Sequence, residues 1–166
     1  MKRENCCKYI LFIALAALVL VGCEPDKTCR QEIDVRTGLV LRCFHHDTLD
    51  IVNEVVSWDS ITVQGVGNDS VLYNNTKNVK QVWLPLRGDT TITAYNLTWQ
   101  GKTETLYIQH TRSSQVFVSM ACGCIIFHHI EKVWCDKVWA DSVVIVNSAV
   151  ELPKQDNIRI YATIKD

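Results

Sequence analysis

Residues 121–129 read ACGCIIFHH, two cysteines and two histidines within nine residues. Thiolates and imidazoles at this density suit three chemistries: a metal site, a disulfide framework, or a Cys–His nucleophile. On a strand, side chains alternate between faces. Alternation sets Cys122, Cys124, Ile126 and His128 on one face and Gly123, Ile125, Phe127 and His129 on the other. Two cysteines at i and i+2 stand about 6–7 Å apart along a strand, poor geometry for bonding to each other. Each therefore needs another partner. For Cys124 the candidates are Cys43, or Cys135 if residues 130–134 turn back as a hairpin. A metal would need three or four ligands at fixed distances. Cys43, Cys124 and His128, with His45 or His46, supply them if the strand at 37–46 lies beside the one at 122–130. The spacing matches no zinc knuckle or ribbon, and adjacent strand histidines point opposite ways. A nucleophile built from Cys124 and His128 has nothing to poise the thiol as a thiolate. The chain has no G-x-S-x-G, HExxH or P-loop pattern. The expectation is no enzyme and no cofactor.

The N-terminus sets the redox context of these thiols. Lys2, Arg3 and Lys8 form a basic head before an uncharged apolar run, residues 10–21. That run is shorter than the ~20 residues a spanning helix needs, and the pattern is that of an export signal. It ends in LVGC (residues 20–23), which resembles a bacterial lipobox. The resemblance implies cleavage before Cys23, lipidation of its thiol with diacylglycerol, and acylation (palmitate and similar chains) of its new amine. Several acyl chains hold a protein on a membrane far more firmly than one. The organisation read from the chain is a signal at 1–22, a lipidated cysteine and tether at 23–30, and one domain at 31–166. The expected location is the cell envelope, as an outer-membrane lipoprotein facing the periplasm or the cell exterior.

Removing residues 1–22 takes three basic and one acidic side chain from the 17 and 18 of the full chain, leaving 14 and 17. This mildly acidic balance gives no basic stripe for nucleic acid. The 144 residues that remain suffice for one domain with a core. Cys6 and Cys7 leave with the signal, and Cys29, Cys43, Cys122, Cys124 and Cys135 remain beside Cys23. Export makes disulfides the default, and an odd number leaves at least one thiol over.

The elements that must position these groups read as strands. β-rich segments recur at 37–46, 59–67, 71–75, 79–87, 115–119, 141–147 and 157–164, with Pro85 marking an edge or a bulge. Residues 89–112 form the clearest unit, two β-rich runs around Gln100-Gly101. Its first arm puts Thr93, Tyr95, Leu97 and Trp99 on one face and Ile92, Ala94, Asn96 and Thr98 on the other. Residues 51–58 are the best helix candidate, although their valines suit a strand equally. The expected fold is all-β, an antiparallel β-sandwich of about eight strands.

DSITV (59–63), DSVLYN (69–74), LPL (84–86), FVSMACG (117–123), FH (127–128), DSVVIVN (141–147) and NIRIY (157–161) occur in this order. In this respect the chain resembles a family of small, uncharacterised Bacteroidetes-type lipoproteins, over most of the mature sequence. The resemblance implies a β-fold and an envelope location, and no activity. It also implies that Cys29 and Cys122 are the usual cysteines, whose bridge would tie the tether to the domain. Cys43, Cys124, Cys135 and the segment VWCDKVW (133–139) depart from the pattern.

Five sites, at Thr48, Ser60, Ser70, Thr90 and Ser142, each follow an Asp and precede an apolar residue or Thr. This resembles the O-glycosylation acceptor motif of such bacteria, though Asp-Ser and Asp-Thr also open turns before strands. Five tryptophans would stack on sugars if exposed together, or fill the core if not. Two functions result. The first is a non-enzymatic structural or binding module, held on the membrane by its lipid and meeting an envelope protein or glycan. The second is a metal-binding or redox-sensing lipoprotein using Cys43, Cys124 and His128.

Overall fold

The computed structural model describes Cys29 and residues 31–45, 54–67 and 70–164. These contain eleven strands and no helix. In chain order they are β1 (Arg36–His45), β2 (Glu54–Val55), β3 (Trp58–Gly65), β4 (Val71–Val79), β5 (Gln81–Pro85), β6 (Ile92–Trp99), β7 (Lys102–Ser119), β8 (Gly123–Cys135), β9 (Ser142–Ile145), β10 (Ala149–Val150) and β11 (Asp156–Ile164). They form two sheets. One runs β2-β1-β11-β9, with β5 also on β1; the other runs β10-β8-β7-β6-β3-β4. The all-β sandwich is as expected, with more strands than eight because two-residue pairings such as β2 and β10 leave no sequence pattern.

Apolar alternation drives the packing. β6 buries Thr93, Tyr95, Leu97 and Trp99, and β7 continues with Leu106 and Ile108 on the same inward face. From the other sheet Leu39, Leu41, Ile158 and Ile160 meet them, all fully buried. Trp58 and Trp99 belong to this core, whereas Trp83, Trp134 and Trp139 are half-buried. Gln100 (φ 49°) and Gly101 (φ 74°) both take positive φ, joining Trp99 to Lys102 as the expected tight hairpin. Pro85 ends β5, which pairs with β1 alone, an edge position that needs no amide hydrogen.

The open choice at 51–58 falls to strand where it is described: residues 54–55 form β2 and Trp58 opens β3. Two readings are corrected. The segment at 115–119 is no separate strand but the end of the 18-residue β7. And β1 pairs with β11 in parallel, so the sandwich is not wholly antiparallel. Gly38 lies at the irregularity in that pairing; a Cβ there would sit 2.3 Å from the Gln155 carbonyl oxygen. Its N–H donates to Asn157 Oδ1 at 3.0 Å, and Asn157 Nδ2 donates to the carbonyls of Asn147 and Ala149. This buried amide fastens the place where the chain crosses from β9 in one sheet to β10 in the other.

Candidate functional site

The cysteine- and histidine-rich stretch occupies the far end of the β7–β8 hairpin. β6 stops opposite Gln109; the Thr91 carbonyl still accepts the His110 N–H at 2.8 Å and the Gly88 carbonyl accepts from Arg112, but beyond Gln109 β8 is the only described strand that pairs with β7. Residues 111–117 are all exposed. Met120, Ala121 and Cys122 make the turn, and Ser119 Oγ accepts the Cys122 N–H at 3.0 Å. Gly123 follows at φ 73°, a left-handed conformation that lets the chain re-enter β8. Cys122 thus stands in the turn and not on the strand.

Cys122 is bonded to Cys29, across 93 residues of sequence. A two-stranded ribbon has little stability of its own. The bridge fastens its end to the segment that leads into β1. That segment is held a second time by Lys154, whose Nζ lies 2.9 Å from Glu32 and 3.3 Å from Asp34.

Cys43, Cys124 and Cys135 are free. Cys43 is buried on β1, in the opposite sheet from β8, and burial pushes its thiol up to about 11. The strand around it therefore does not lie beside residues 122–130, as a shared metal site would require. Cys124 and Cys135 sit at the two ends of one continuous β8, roughly 35 Å apart at strand rise. No hairpin folds one onto the other. Cys124 is exposed, whereas His128 is only 5 % exposed. Among the described residues no three His, Cys, Asp or Glu side chains group as metal ligands. The side chain of His45 lies outside the described residues, as do His46, Cys23 and Thr48.

His128 has a different neighbour, His110 on β7, with ring centroids 5.0 Å apart and the rings edge to face. His110 Nε2 lies 2.8 Å from Thr93 Oγ1. Burial, then the neighbouring His110 and Arg112, lower the His128 pKa to about 4, and burial lowers that of His110. Both rings are neutral near pH 7, which suits a packed polar pair inside the sandwich. Sequence reasoning missed His110. The signal was available, since it continues the inward alternation of Leu106 and Ile108.

Glu104 was missed as well. It is fully buried on β7, and its Oε2 accepts the N–H groups of Val138, Trp139 and Ala140 at 2.6, 3.1 and 3.2 Å. This carboxylate shapes the loop after β8. Trp139 then packs edge to face on Trp99 at 5.3 Å and donates its Nε1–H to the Leu97 carbonyl. Beside them opens a groove of about 410 Å³, reached also by Lys102, Asp141 and Thr163. Trp134 stacks on Tyr107 at 5.2 Å, beneath Lys132.

Of the hydroxyls in the Asp-led motif, Ser70, Thr90 and Ser142 are exposed and Ser60 is half-buried on β3. Thr90 Oγ1 donates to the Ile92 carbonyl, the local turn bond such residues favour.

No curated protein and no solved structure matches the chain. Residues 60–162 match a family of unknown function (DUF6452), from β3 to within β11. That span takes in strands of both sheets, though not β1 and β2, and the whole β7–β8 hairpin, and the chain belongs to this family.

Proposed function

We propose that the protein is a cell-envelope lipoprotein, anchored to the outer membrane through lipid on Cys23. Its β-sandwich serves as a non-enzymatic structural or binding module for an envelope protein or glycan. The bond between Cys29 and Cys122 carries this reading. Disulfides persist in exported proteins and are rare where thiol reductants prevail. Cys29 follows the lipobox cysteine by six residues, so the same short segment holds both the expected anchor and the bridge. The distribution of reactive groups supports a non-catalytic role. The thiol of Cys124 faces solvent while the His128 imidazole is buried against His110, so the two do not form a nucleophile and its base.

Fractionation of producing cells tests this. The wild-type chain is expected in the outer-membrane fraction, with Cys29 and Cys122 oxidised. A Cys23→Ser chain is expected to be lost from that fraction. Recovery of the wild type from the cytosol with both thiols reduced would contradict the reading.

A further inference from the structure

The distal β7–β8 hairpin combines three observations that together point beyond the sandwich. Its end exposes apolar side chains: Val116 and Phe117 (61 %) as neighbours on β7, and Met120 (94 %) in the turn. Soluble surfaces tolerate single apolar residues, but a cluster at the end of a projecting element marks a contact surface. The stretch 111–130 also contains no Asp or Glu, in a chain that has 18. The third observation is the position of the bridge. Met120 is two residues from Cys122, whose Cα lies 4.7 Å from that of Cys29. Five residues separate Cys29 from Cys23, so Cys122 in the turn can stand no more than about 25–27 Å from the anchoring cysteine. The Gln100-Gly101 turn, at the other end of β7, is about 55 Å farther along the strand at full extension.

We propose that the β7–β8 turn, through Val116, Phe117 and Met120, inserts into the headgroup–acyl boundary of the membrane that holds the Cys23 lipid. This rests on the lipid-anchor reading above and adds an orientation to it. The hairpin becomes a strut that meets the bilayer at its apolar end and holds the sandwich, with the Trp99–Trp139 groove, away from it. The lack of carboxylates fits that occupant, since an acidic side chain at the boundary would lose hydration and face phosphate. The disulfide then has a mechanical sense, keeping turn and anchor on the same patch of membrane.

Met120 is the only methionine after residue 22, which makes it its own reporter. The lipidated protein, in phosphatidylethanolamine–phosphatidylglycerol vesicles, is treated with chloramine-T, and sulfoxide formation is followed by mass spectrometry. A second chain carrying Lys102→Met supplies a reference at the opposite end of β7. The mature chain with Cys23→Ser, free in solution, supplies the unprotected rate. The expected result is slowing of Met120 oxidation on the order of tenfold on vesicles, with the methionine at 102 unaffected. Phe117→Asp, at an exposed position, should restore much of the Met120 rate while the protein stays on the vesicle. If the protein floats with vesicles but Met120 oxidises at the solution rate, the membrane contact is overturned and the anchor stands. If the natural protein carries no lipid and does not float, both readings fall. Protection of the Cys23→Ser chain that rises with its own concentration would assign the turn to a second copy. Protection in intact envelopes but not on vesicles would assign it to a protein partner. Either outcome overturns the proposal.

Discussion

His128 and His110 share one buried space, and their protonation is tied to folding. The folded pKa of His128, about 4, lies below the ordinary value of 6.5, so the unfolded chain binds its proton first on acidification. The sign follows: stability from this group is complete above pH 6.5 and is lost as pH falls toward 4, with no further loss below. One such histidine is worth up to about 3 kcal/mol across that window. Urea unfolding between pH 7 and 4 should show falling stability, with a shallower slope in His128→Gln; an unchanged slope would contradict the assignment. The three free thiols are predicted to separate by burial. Native-state alkylation should modify the exposed Cys124 first, Cys135 slowly, and Cys43 only after denaturant is added, because burial raises its pKa to about 11. Rapid modification of Cys43 in the folded protein would contradict this. At this scale the sequence was partly legible. Alternation puts His128 and His129 on opposite faces, and the structure buries the first and exposes the second. It also puts Cys124 on the face of His128, yet Cys124 is exposed and its neighbour Ile125 is buried, so the buried side of β8 changes face between Ile125 and His128, where the pairing with β7 shifts register. Strand parity assumes an unbroken ladder; it cannot say where a register shift turns the strand over.

Local signals served best where an element is closed by its own turn. The β6–β7 hairpin was legible because Gly101 marks the turn and inward Leu97, Trp99, Leu106 and Ile108 keep strict alternation around it. The distal half of β7 was not, since Ser113 and Ser114 divide the β-rich run that ends at residue 112 from the one at 115–119. They are held in a strand by pairing with β8, through register shifts at residues 109–110, 112–114 and 117–119 of β7. That ribbon depends on its bridge to Cys29. Closing a loop of this length contributes about 4–5 kcal/mol in chain-entropy terms. Cys29→Ser should therefore lower global stability by an amount approaching that figure, measured by urea unfolding. Hydrogen exchange should show the largest loss of protection at 113–127, while amides at 94–108 keep their order. Equal loss throughout would contradict the view of a tip fastened mainly by the bridge.

At the scale of the whole molecule, the two ends of the domain complete one sheet. β1 and β11 pair in parallel from Gly38–Asp156 to His45–Ile164, a contact that no local pattern in either segment announces. β11 contributes the fully buried Ile158 and Ile160, and Asn157 ties it to Gly38. A chain ending at Pro153 is predicted to lose cooperative unfolding altogether, observable as the absence of a calorimetric transition. The all-β class and the Cys29–Cys122 bridge could be anticipated from β-rich segments and from family resemblance. The location rests on residues 20–23, outside the described structure. The most direct test is the intact mass of the protein taken from its own envelope, with fragmentation of the N-terminal peptide. The account predicts a mature chain that begins at Cys23 and carries a diacylglycerol thioether. A chain that retains residues 1–22, or begins elsewhere with an unmodified Cys23, would contradict it.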